Sequence, residues 1–255
     1  MCWLASKTFI GRRKPPSLRV LDSMRRSLFK YYSQTKYAEA LLSGEVFFQS
    51  LGYFRDYEDD STRGDEHEGT SVYKPPEGLL VTNHTQGTKF LMPGWSFEST
   101  ADQGAIQVFC TSRAFSPELW NRFKAVACVE ILNIARFCAR IREALPDETS
   151  FFARRVTYYP AIESGPRWGL PDDIATSKLD DYAWQQEYRF VLAKPSALEF
   201  EKTELRLMRR VSRDVPSSSP HAKTLLKMHS LHDICRLHTC PDVSPERGRS
   251  VLTSL

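Results

Sequence analysis

The segment AVACVEI, residues 125–131, constrains the fold more than any other. It is apolar at nearly every position and only long enough for a strand, so it predicts a central strand covered on both faces. The period then changes. Ile134, Phe137, Cys138, Ile141 and Leu145 share one stripe of an amphipathic helix over 133–145, which Pro146 closes. The chain is thereby committed to a sheet with helices against it.

Other elements fit around this pair. RSLFKYY (26–32) alternates weakly as a first strand. Ser33 reads as the N-cap of a helix that presents Tyr37, Ala38, Leu41 and Leu42 on one face, with Gly44 as its stop. EVFFQS (45–50) is a second strand. The charged stretch after it, up to Gly69, reads as a long polar loop opened by a helical turn. TKFLMPGWSF (88–97) fits a hairpin around Pro93-Gly94, and AIQVFCTSR (105–113) is a strand. Ser116-Pro117-Glu118 supplies an N-cap, a proline at the first helical position and an acid in the first turn. RRVTYYP (154–160) is a further strand, followed by a Gly/Pro loop over 161–177. This mixed order, without an internal repeat, predicts the α+β class rather than regular βαβ winding. Residues 26–240 form the expected single domain, between a basic tail (1–25) and a frayed end (241–255).

A hydrophobic content of 41% and a charged content of 26% suit a chain with a real core. The net charge of +4 excludes a polyelectrolyte binder of DNA or RNA as a whole. The charge is uneven, however. Lys7, Arg12, Arg13, Lys14, Arg19, Arg25 and Arg26 crowd the first residues, and RLMRRVSR (206–213) is a second basic run. Such a tail is either a solvated arm or a contact for nucleic acid or an anionic surface. No apolar run has transmembrane length and no signal-peptide core is present, so the expected location is cytoplasmic, with the six cysteines as free thiols.

The candidate chemistry centres on DDYAWQQEYRFVL, residues 180–192. Read as a strand, it turns Trp184, Gln186, Tyr188, Phe190 and Leu192 to one side and Gln185, Glu187, Arg189 and Val191 to the other. The neighbouring Gln185 and Glu187 have two readings. One is packing, with a Glu187–Arg189 ion pair at a sheet surface. The other is catalytic: a carboxylate that holds a ribose hydroxyl and stabilises positive charge developing at C1′, beside an amide that positions a nucleophile. That is the logic of cleaving a glycosidic bond through an oxocarbenium-like transition state.

Thr111 and Ser112, at the end of a core strand, are placed to orient such a glutamate. Lys30 and Tyr31 on the first strand could meet a phosphate or ribose and stack on a ring. Arg55 and Arg63 in the charged loop could meet a pyrophosphate. The loop's acids (Asp56, Glu58, Asp59, Asp60, Asp65, Glu66 and Glu68) lack calcium-loop spacing and read as solvated. His229, His232, Cys235 and His238 recur near one face of a would-be helix, but zinc needs about four convergent ligands, and Leu231, Ile234 and Leu237 fit a docked terminal element equally well. The absence of a P-loop, GxGxxG, GxSxG or HExxH argues against the enzyme classes built on them.

Three stretches together carry a resemblance: LFKYY with YAEALLSGEVFFQSLGYFRDYED, then FCTSR, then WQQEYRF. Their order over residues 27–192 resembles a family of bacterial proteins that open on an aromatic-basic strand and end in a Trp-x-x-Glu-Tyr-Arg strand. The layout is also similar to that of ADP-ribosyltransferases. The resemblance implies a mixed, split β-sheet core with flanking helices. It sets Lys30 where that fold has an arginine, Cys110-Thr111-Ser112 where it has Ser-Thr-Ser, and Gln185-x-Glu187 at the catalytic pair. It further implies NAD as substrate, with Lys30, Tyr31, Thr111, Ser112 and Arg55 as its contacts and Gln185 and Glu187 as the catalytic residues. ADP-ribose would pass to a macromolecular acceptor, protein or nucleic acid, in a toxin or phage-defence setting. The alternative expectation is a non-catalytic nucleic-acid- or protein-binding module of the same shape.

Overall fold

The structure, a computed structural model, describes residues 27–56, 65–162, 169–209 and 221–239. The expected tails, Arg63 and the Pro/Ser segment 215–220 lie outside these residues. In chain order come β1 (Leu28–Tyr32), α1 (Thr35–Leu42), β2 (Glu45–Ser50), α2 (Leu51–Arg55), β3 (Thr70–Tyr73), β4 (Leu79–Asn83), β5 (Thr88–Met92) and β6 (Trp95–Thr100). Then follow β7 (Gln107–Ser112), α3 (Pro117–Arg122), β8 (Ala127–Ile131), α4 (Ile134–Ala144), β9 (Ser150–Arg155) and β10 (Thr157–Tyr159). The last third holds α5 (Pro171–Ile174), β11 (Ser177–Leu179), β12 (Glu187–Ala193), β13 (Glu204–Arg209), β14 (Lys223–Lys227) and β15 (Cys235–Thr239). The class is α+β, with mostly antiparallel pairing.

Eight strands make the main sheet. The apolar run lands as expected: β8 is an inner strand, paired with β1 on one side and β15 on the other. β7 is the hub. One of its edges is laddered along its length to β12, which in turn pairs with β9. Its other edge is shared. β1 meets β7 at Phe29↔Ser112, at one end, and β2 meets it at Gln49↔Val108 and Ser50↔Gln107, at the other. Between these contacts the sheet splits, with β2 and β14 forming one arm and β1, β8 and β15 the other.

Strand alternation puts the two faces of β12 into different surroundings. Phe190 and Leu192 join Phe109 and Val129 under α1 and α4, where Ala38, Leu41, Phe137 and Ile141 complete the main core. Each Leu, Ile, Val or Phe side chain among them contributes about 1.5–3 kcal/mol by leaving water. Val191 and Ala193 face a second core with Leu51, Ile106, Val108 and Ile174. On that same face, two residues earlier, the lining turns from apolar to charged at Arg189 and Glu187.

Several local expectations need correction. The cap of α1 is Gln34, not Ser33, and its side chain makes no capping bond. Tyr37 is 49% exposed, because the helix buries only Ala38, Leu41 and Leu42. Gly44 does end the helix, at φ +100°, and a side chain there would collide with the Met228 carbonyl. Pro93-Gly94 joins β5 and β6, yet these strands do not pair: β5 pairs with β4, whereas β6 lies between β3 and β13. The helical spacing tested for His229, His232, Cys235 and His238 does not apply, because the chain here forms the strands β14 and β15 with a loop between them. Where the sequence does specify local geometry, it is followed closely. Ser116 caps α3 by accepting the Leu119 N–H, with Pro117 next in line, and Asn133 caps α4 through the Arg136 N–H.

Candidate functional site

Residues 180–192 are not one strand. Asp180–Gln185 coil as a 3₁₀ segment and Gln186 is left-handed at φ 45°; the ladder starts only at Glu187. The turn takes Gln185 out of the alternation but does not separate it from Glu187. Both side chains meet Lys178, which comes from β11. Its Nζ donates to Gln185 Oε1 at 3.0 Å and lies 3.2 Å from Glu187 Oε2. The Glu187 N–H is held by the Tyr158 hydroxyl at 2.8 Å. Lys178 is thus a central residue of the site that no sequence motif announces.

The Glu187–Arg189 pair is present but not at a surface. Glu187 is 5% exposed and Arg189 is fully buried. Arg189 Nε donates to Glu187 Oε1 at 2.7 Å, while its Nη1 and Nη2 grip both oxygens of Glu68 at 2.6 and 2.7 Å and Nη1 also reaches the Ala175 carbonyl. Glu68 is 1% exposed and Asp65 2%, so two of the loop acids expected in solvent are core residues. Lys178 Nζ is 3.5 Å from Glu68 and 4.0 Å from Asp65. Three carboxylates and two cations are therefore packed together out of water. Such burial is tolerated because nearly every charge has a partner and added hydrogen bonds.

Titration follows from this packing. Burial works against the Glu187 carboxylate, but Arg189 and Lys178 overcome it and hold its pKa well below the usual range. Burial likewise opposes the Lys178 ammonium, and Glu187 and Glu68 more than restore it. Asp65 is different: burial first, then the neighbouring Glu68, push its carboxyl up to about 6. The Cys110 thiol is pushed up by burial and by the nearby charge of Glu187.

The cluster forms part of the floor of a cleft of about 760 Å³ at the split of the sheet, a size typical for small-molecule sites. Lys30, Thr111 and Ser112 line it with Gln185, Glu187 and Arg189. Lys30 Nζ lies within the split. It donates to the Cys110 carbonyl at 2.8 Å and rests 4.9 Å from the centre of the Phe109 ring. Thr111 Oγ1 donates to the Tyr188 carbonyl and Ser112 Oγ to the Gln185 carbonyl, at 2.9 and 2.8 Å. These hydroxyls fix the backbone on either side of Glu187 rather than its carboxylate. Tyr31 contributes to the wall, with its hydroxyl directed at the Ala114 carbonyl and the Ser116 N–H and its ring edge-on to Trp120. Arg55 is not brought to the cleft; it pairs with Asp56 and Gln103.

The histidines do not assemble. His238 on β15 bonds Glu130 at 2.9 Å, and no group of three metal-ligating side chains occurs among the described residues. Cys110, Cys128, Cys138 and Cys235 are free thiols. Among the described residues no helix is long and apolar enough to cross a membrane. No family model, curated protein or solved structure matches the chain.

Proposed function

We propose that the chain transfers ADP-ribose from NAD to a macromolecular acceptor, with the split of the sheet as its site. The observation that carries this reading is the convergence of Gln185 and Glu187 on Lys178 at the floor of a cleft also lined by Lys30, Thr111 and Ser112. In the reaction the bond between ribose C1′ and the nicotinamide nitrogen breaks, and nicotinamide leaves with the electron pair. The acceptor then attacks C1′ through its lone pair and releases its proton to solvent. Glu187, ionised across the neutral pH range, stabilises the cationic sugar, and Gln185 positions the acceptor. The wall offers rings for stacking at Tyr32 and Tyr53, and Lys30 offers a cation for the pyrophosphate. The split sheet agrees with an ADP-ribosyltransferase-like core, and the resemblance of residues 27–192 suggests a bacterial toxin or phage-defence effector.

Incubation of the purified protein with labelled NAD and cell extract, followed by separation of protein from nucleic acid, tests the reading and identifies the acceptor class. Label should transfer to one fraction, and NAD should raise the melting temperature by mass action. No transfer and no shift at millimolar NAD would overturn it. One observation favours a second reading, a non-catalytic binding module: Glu187 is fully engaged by buried cations, as a structural residue would be. In that case Glu187→Gln changes stability and leaves cellular effects intact.

A further inference from the structure

Glu187 faces two buried cations and, taken with them alone, would sit in a patch of net positive charge. Such a floor would repel the cationic centre that the proposed reaction creates. The turn at residues 65–68 changes this balance. Glu68 takes both terminal nitrogens of Arg189 at 2.6 and 2.7 Å, so Glu187 keeps Nε at 2.7 Å and only a long contact of 3.4 Å to Nη2. Glu68 and Asp65 also approach Lys178, at 3.5 and 4.0 Å from its Nζ. Asp65 is held in place by accepting the His67 N–H at 2.9 Å, and the Gln103 amide fixes the Glu68 carbonyl at 2.7 Å. Tyr159, which bonds the Val72 N–H, and Tyr182, whose ring packs against the Lys178 ammonium, complete the surroundings of Asp65.

We infer that the Asp65–Glu68 turn sets the charge of the cleft floor: its two carboxylates absorb the charges of Arg189 and Lys178, leaving the charge of Glu187 to act on what enters the cleft. Glu68 is a positioning residue in this scheme, acting through Arg189. Its consequence for catalysis rests on the proposed transferase reading, but the charge balance itself does not.

Cys110 provides the probe. It lies across the ladder from Arg189, lines the cleft, and is partly exposed. The ratio of its alkylation rates by iodoacetate, an anion, and iodoacetamide, a neutral analogue, reads the local potential independently of thiol acidity and access. Peptide mapping by mass spectrometry separates Cys110 from the other cysteines. At pH 8 and low salt, Glu68→Gln should raise this ratio by about threefold to tenfold, since a tenfold change corresponds to only about 1.4 kcal/mol of interaction. Asp65→Asn, which keeps the acceptor for the His67 N–H, should raise it in the same direction and serves if Glu68→Gln does not fold. An unchanged ratio in every variant that folds overturns the inference. With NAD, Glu68→Gln should lower kcat at least tenfold with KM within about threefold, and Glu68→Asp should recover part of the loss. A raised alkylation ratio in a protein whose wild type never cleaves NAD would mean that the charge balance stands and the transferase reading fails. Equal kcat in active wild type and Glu68→Gln would overturn the catalytic role of the turn.

Discussion

Two arginines in this protein make the same bond in opposite surroundings. Arg189 grips Glu68 through two parallel contacts of 2.6 and 2.7 Å in the interior, and Arg140 grips Asp233 through two contacts of 2.7 and 2.6 Å at the surface. Geometry alone would rank them equal. Burial separates them. At the surface either partner regains water when the other is lost, so the pair matters little to stability. In the interior a lost partner leaves an uncompensated charge with no solvent to receive it. Beneath the cleft the fold has accepted that risk, with Arg189 and Lys178 standing among three buried acids.

The comparison breaks most visibly at Glu68. Glu68→Ala should cost about 3–5 kcal/mol of stability, the range for orphaning one member of a buried pair. Urea unfolding followed by tryptophan fluorescence measures it, and a loss no larger than that of a surface variant would show that water reaches Arg189. Glu187→Gln is gentler on the fold. It keeps the shape and one acceptor oxygen, but turns the other into an NH2 donor and removes the charge facing two cations, so about 1.5–3 kcal/mol is expected. An exposed pair would have put this cost under about 1 kcal/mol. Its effect on transfer should be far greater in relative terms, on the order of 10²–10⁴ in rate, as for loss of one electrostatic stabiliser.

Asp65 sharpens the comparison by pH. Its pKa is raised in the folded state, to about 6, so the folded protein holds the proton more tightly than the unfolded chain. From this group alone stability is highest below about pH 4 and falls as pH rises through about 6. Glu187 slopes the other way: its lowered pKa contributes stability above the ordinary carboxylate range that is lost in acid. Asp65→Asn isolates the first effect. The variant should match wild type near pH 4 and exceed it by on the order of 1–3 kcal/mol at pH 7. A difference that stays constant between these pH values would contradict it. The smallest effect belongs to Asp233→Ala, which should leave the melting temperature close to wild type, although Arg140 holds the Asp233 carboxyl below its ordinary pKa.

The same contrast explains what could be read from the sequence. β2, β7, β8, α3 and α4 were legible because their apolar spacing or caps are local signals. β3 and β4 were not, being short and partly polar. The side-by-side placement of Glu187 and Arg189 followed from the period of a strand. The position of Gln185 did not, because nothing in the sequence marks Gln186 as left-handed. Asp65 and Glu68 of the charged loop were misread for a deeper reason. A loop rich in Asp and Glu is ordinarily solvated, and the partner that buries Glu68 lies 121 residues further along the chain. Burial of a charge is decided by such distant partners, which no local pattern records.

The split itself has a consequence for change. The cleft opens where β1 and β2 part along one edge of β7, so its existence depends on backbone register rather than on a hollow left by small side chains. A bulky substitution in a hollow erases the hollow; here it would only refurnish the walls. Substitutions could therefore exchange the rings and charges around Glu187 while leaving the opening itself unaltered.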